Sequence, residues 1–157
     1  MNKKLRFTVQ AALIAAIYVV LLFVFAPISF SAVQVRIAEA LTILPFFTPA
    51  AVPGVFVGCF LGGILTGGAP IDYIFGSLTT LVAAYLSYRL RGNKYLVPLP
   101  PIILNAIVIP WVISFAYGSV PIPLTMLTVG IGEVISCGVL GLILLFALNP
   151  IKNYIFK

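Results

Sequence analysis

Four charged residues stand inside or beside long apolar stretches, where charge is expensive: Arg36, Glu39, Asp72 and Glu133. They include all three acids of the chain. Ionisable groups at membrane depth are costly and usually belong to a binding or conduction site. Glu133 stands out most. It lies 12 residues beyond Pro121, which at ~1.5 Å per residue puts it roughly 18 Å deep, near a bilayer midplane. No cation on its own helix can reach it, and its position excludes a capping role. It is a hydrogen-bonded structural carboxyl between helices or it binds something. Asn105 reaches a matching depth on the preceding span, where an amide needs partners, so both side chains could face one pocket.

Arg36 and Glu39 are spaced i, i+3 and share a face if helical. They form an ion pair at the start of the second span, or part of a pocket. Asp72 follows Gly67-Gly68-Ala69-Pro70 and complements a helix start, or it too serves a site. Trp111, Tyr117, Tyr73 and Phe115 fall on outer halves of spans, as an interfacial belt or as stacking surfaces for a planar ligand. Together the four charges sum to −2 if ionised. That suits a cationic or donor-rich solute, because carboxylates only accept hydrogen bonds.

The elements that position these groups are membrane spans. Of the 157 residues, 62% are hydrophobic and 8% charged, against about 25% charged in soluble domains, so no polar surface can be assembled. Disorder is excluded by the same hydrophobicity. Nucleic-acid binding is not supported, because the nine basic residues sit at a few positions between apolar runs. Cys59 and Cys137 lie inside apolar runs and read as small buried hydrophobes; two cysteines do not make a zinc site. There is no phosphate-binding G-x-x-x-x-G-K-[ST] loop, no histidine, and no nucleophile with an activating base. The chain does not read as an enzyme, and no cofactor is expected.

Six helices are expected in a single domain spanning 1–157: about Thr8–Ala26, Val35–Phe47, Pro53–Thr66, Ile71–Leu90, Leu96–Tyr117 and Ile122–Leu148. The second and third are short, and Pro110 should kink the fifth. Phe7–Phe30 is uncharged, with Ser29-Phe30-Ser31 as a loose cleavage sequence, but it is longer than a signal core and reads as a retained span. With both termini in the cytoplasm, eight of nine basic residues are inside and Arg36 alone is outside. The fold class is an all-α integral membrane protein, N-in/C-in, in the cell membrane. Small residues repeat at every fourth position as Ala11/Ala15 and Ala12/Ala16, and as Gly54, Gly58 and Gly62. They serve internal packing or, on the first helix, docking of another membrane subunit.

At these residues the chain resembles the QueT-type substrate-binding (S) components of energy-coupling factor (ECF) transporters. Val35-Arg36-Ile37-Ala38-Glu39-Ala40-Leu41-Thr42 matches the family's R-x-x-E-A-L-T pattern. Asp72 with Phe75-Gly76 matches its D-x-x-F-G segment. Asn105 and Gly132-Glu133 fall where the family has similar residues, and Ala12/Ala16 resembles the first-helix A-x-x-x-A motif of S components. The resemblance implies a six-helix subunit that captures a vitamin-like solute outside and docks through its first helix on a transmembrane coupling subunit with two ATPases. The implied solute is a queuosine precursor, a 7-deazaguanine such as preQ1 or queuine. On that resemblance, Glu133 and Asn105 are expected to read the guanine-like edge. Glu39 or Asp72 would neutralise a side-chain amine, and Arg36 would orient Glu39 or touch a ring carbonyl. The rival expectation is a proton- or cation-coupled secondary carrier with Glu133 as the proton site.

Overall fold

The computed structural model describes residues 2–29 and 33–156. Phe30 and Ser31 of the cleavage sequence, and Lys157 of the basic tail, lie outside the described residues. Every regular element described is helical. In chain order these are α1 (Lys3–Val24), the short α2 (Ala26–Ser29), a 3₁₀ segment (Ile37–Phe46), α3 (Ala51–Leu65), α4 (Pro70–Arg89), α5 (Leu99–Tyr117) and α6 (Ile122–Glu133). A π-helical stretch (Val134–Leu140), α7 (Gly141–Leu148), a 3₁₀ turn (Asn149–Ile151) and α8 (Lys152–Ile155) complete the chain. Among the described residues, three helical stretches are long and apolar enough to cross a bilayer: Lys3–Val24, Leu99–Tyr117 and Ile122–Ile155.

The helices pack as a series, α1 on α3, α3 on α4, α4 on α5 and α5 on α6. The 3₁₀ segment threads through the middle and touches α1, α3, α4, α7 and the π stretch. Its residues Ala38–Pro45 are all buried, and this is the element that departs most from expectation. An α-helix was expected over Val35–Phe47; instead Arg36 is extended, with φ −86° and ψ 92°, and the helix begins at Ile37 as 3₁₀. With three residues per turn and ~2.0 Å rise, a 3₁₀ helix is slimmer and longer per residue than an α-helix, which suits a rod enclosed on all sides. The last span also differs from expectation. It runs on past Glu133, but widens into π winding directly after that residue. Such bulges often mark functional sites.

The two small-residue stripes of α1 part company. Ala11 and Ala15 turn toward α3, where a Cβ on Gly54 would come within 2.9 Å of the Ala11 carbonyl oxygen and one on Gly58 within 3.0 Å of that of Ala15. Absent side chains let the two backbones approach. Ala12 and Ala16 are exposed on the opposite side. Ala15→Leu is therefore expected to cost about 1–3 kcal/mol by overpacking, whereas Ala12→Leu should stay within about 0.5 kcal/mol of wild type. Thermal unfolding in detergent reads both. Equal melting of the two variants would contradict this division of the helix.

Candidate functional site

The 3₁₀ segment delivers Glu39 to the centre of the bundle, where it is 1% exposed. Its Oε1 accepts hydrogen bonds from the Tyr18 hydroxyl of α1 and, at 3.4 Å, from Thr80 Oγ1 of α4. Its Oε2 has no partner among the described residues. Thr80 also lies 3.7 Å from Cys59 Sγ. One acid is thus held by three elements, because Tyr18 projects across the glycine face of α3 and Thr80 faces inward from α4.

Glu133 ends α6 beside this group and is 3% exposed. Cys137, four residues on in the π stretch, donates from Sγ to Glu133 Oε2 at 3.2 Å. The same sulfur lies 3.4 Å from the Glu39 carbonyl oxygen and from Thr42 Oγ1. Asn105 of α5, also 3% exposed, lies beside Glu133. The two residues expected to face one pocket are neighbours in the buried cluster instead. Donor atoms of Glu39, Glu133 and Cys137 all fall within 4.8 Å of one another, close enough to surround a small cation.

Beside this dry cluster a cavity of about 460 Å³ opens at the end of the bundle where the α3–α4 turn meets the last turn of α5. Gln34, Arg36, Thr66, Gly67, Gly68, Asp72, Ile113 and Tyr117 line it. Gly67 adopts φ +74°, a left-handed conformation that glycine enters freely, and this turn shapes one rim. Asp72 lies in the first turn of α4 but does not cap it, since Ala69 holds the cap position and no side chain bonds there. The residue is 7% exposed; Oδ2 accepts from the Tyr117 hydroxyl at 3.5 Å, while Oδ1 has no partner among the described residues. Tyr117 in turn accepts from the Ala69 N–H at 3.2 Å. Arg36 interacts electrostatically with Asp72 and with Glu39, and so connects cavity and cluster.

The expected site residues therefore fall into three places. Arg36, Asp72 and Tyr117 line the cavity. Glu39, Glu133 and Asn105 form the buried cluster and do not line it. Trp111 joins neither: it is 52% exposed and faces an apolar groove between α4 and α5 with Ile71, Phe75 and Phe115. Two local expectations change. Arg36 and Glu39 do not share a helical face, because Arg36 precedes the helix; and Cys137, expected to act as a small hydrophobe, is a hydrogen-bonding member of the cluster. Tyr18, Thr80 and Gln34 carried no sequence signal, since hydroxyls are common in apolar helices and Gln34 precedes the matched motif, whereas Thr42 closes that motif.

Three helical stretches long and apolar enough to cross a bilayer mark the chain as a membrane protein. The chain belongs to the QueT transporter family, whose sequence pattern it matches over residues 8–150. No curated protein and no solved structure matches the chain.

Proposed function

We propose that this chain is the solute-capturing subunit of an ECF-type importer, a multi-pass protein of the cell membrane that binds a 7-deazaguanine queuosine precursor from outside. A transmembrane coupling subunit and two ATPases would drive uptake. The family match carries the transport reading, and the cavity of about 460 Å³ is what most supports solute capture by this chain. Its size suits a heterocycle, and its lining combines a cation, a carboxylate and a phenol. Arg36, Asp72 and Tyr117 meet the solute. Glu39, Glu133 and Asn105 form the polar floor behind Arg36 and fix its guanidinium. The outward Ala12/Ala16 face is the docking surface for the coupling subunit.

Calorimetry on the purified protein in detergent tests this with preQ1, preQ0, queuine, queuosine, guanine, thiamine and riboflavin. Selective binding of a deazaguanine without ATP is the expected result; a folded, monodisperse sample that binds none of them would overturn the reading. Asp72→Ala is expected to weaken binding about tenfold or more, as loss of a charged hydrogen-bond partner does. Glu133→Gln should weaken it less. An equal loss in both would move the solute into the deep cluster.

A second reading, a proton- or cation-coupled carrier, draws on one observation: Glu39, Glu133 and Cys137 bring their donor atoms together at depth. Uptake by this chain alone in vesicles under an ion gradient would favour it. Uptake that requires ATP and partner subunits would exclude it.

A further inference from the structure

The cavity contains two buried oxygens that no group among the described residues satisfies, Asp72 Oδ1 and Gln34 Oε1. Both residues line it. Gln34 belongs to the extended segment before the 3₁₀ helix, and its place is fixed by its backbone. The segment lies so close to α6 that a Cβ on Gly132 would stand 2.8 Å from the Gln34 carbonyl carbon and 3.3 Å from the Val35 nitrogen. Two short turns hold it: the Val35 N–H donates to the Val33 carbonyl at 2.8 Å and the Arg36 N–H to the Gln34 carbonyl at 3.1 Å. Gln34 is therefore a fixed wall of the cavity.

Charge narrows the ligand further. Arg36 and Asp72 line the same space with opposite signs, so the lining is balanced rather than anionic. Glu39 and Glu133 lie outside it. A balanced lining with two unmatched acceptors and a guanidinium complements a ring that carries N–H donors and a carbonyl. Buried acceptors left unmatched are costly, so a ligand lacking those donors is rejected.

We propose that Gln34 is a specificity-determining residue: with Asp72 it accepts from the donor edge of a 2-amino-4-oxo-pyrimidine ring, Gln34 taking the exocyclic amine, while Arg36 donates to the ring carbonyl. This rests on the cavity being the solute site. Two probes that differ only in the exocyclic amine, 7-deazaguanine and 7-deazahypoxanthine, test it by calorimetry on the full chain in detergent. Wild type is expected to bind the aminated probe at least about tenfold tighter. In Gln34→Leu that preference should fall below about threefold, with 7-deazahypoxanthine still bound as by wild type. Gln34→Glu keeps an acceptor oxygen and should keep the preference.

An undiminished preference in Gln34→Leu overturns the assignment while leaving the solute site standing. So does a wild type that binds both probes equally. Loss of both probes in Gln34→Leu and in Gln34→Glu also overturns it, since the residue would then be structural. A wild type that binds neither probe nor any other deazaguanine removes the solute reading and this inference together.

Discussion

Glu39→Ala is expected to cost about 3–5 kcal/mol of stability, the range for removing one partner of a buried charged group. The loss comes from what the carboxylate leaves behind. The Tyr18 hydroxyl is fully buried and donates to Glu39, and a buried donor left without its acceptor is costly. Thr80 loses its bond to Glu39 Oε1, and Arg36 loses one of the three acids it interacts with. Glu39→Gln keeps an acceptor of the same shape and should cost only about 1–2 kcal/mol. Because Tyr18 and Glu39 act as a unit, Tyr18→Phe combined with Glu39→Ala should cost at least about 1 kcal/mol less than the sum of the single changes. Denaturation in detergent reads all four. A Glu39→Ala protein that melts with wild type would mean that the cluster contributes little to the fold.

That cluster was only half legible in the sequence. Depth along a helix can be counted, so Glu133 and Asn105 were found by arithmetic and are neighbours. An acid in an apolar run announces itself, and so did Glu39. The partners Tyr18 and Thr80 were hidden, because what brings them to the acids is the rotation of non-adjacent helices about their axes. Residues such as threonine satisfy their own hydroxyls on the preceding turn in many helices, and Thr79 does so here, donating to the Phe75 carbonyl oxygen at 2.8 Å. Nothing in spacing distinguishes it from Thr80. Winding was hidden too. Hydrophobic patterning cannot separate 3₁₀ from α over Ile37–Phe46 when nearly every side chain is buried, and this cost the placement of Arg36, which sits in extended backbone. Trp111 shows the reverse error. Its direction depends on how α5 turns against α4, and that turns it outward.

The α1–α3 contact was legible because glycine at every fourth position has one strong physical use, and it carries the second large prediction. Gly58→Leu is expected to cost about 3 kcal/mol, the upper end for overpacking. A Cβ there would lie 2.6 Å from Tyr18 Cβ, 2.9 Å from Tyr18 Cγ and 3.0 Å from the Ala15 carbonyl oxygen. Two of the three obstacles are at the root of a side chain or in backbone, so no rotamer change relieves them and α1 must move away from α3. Moving α1 also carries the Tyr18 hydroxyl off Glu39, so the packing and polar costs arrive together. Gly62 is the control within the same stripe. Its Cβ would meet Leu22 Cδ2 at 2.7 Å, with the next Leu22 atoms at 3.7 Å. That obstacle is the tip of a flexible side chain that can swing aside, and Gly62→Ala should cost about 1 kcal/mol or less. Comparing the unfolding of Gly58→Leu, Gly58→Ala and Gly62→Ala in one detergent separates the two causes. If Gly58→Ala proves as mild as Gly62→Ala, α1 yields easily and the Tyr18–Glu39 bond does not depend on this close approach. If it proves clearly worse, the glycine stripe holds the polar cluster in register as well as the helices.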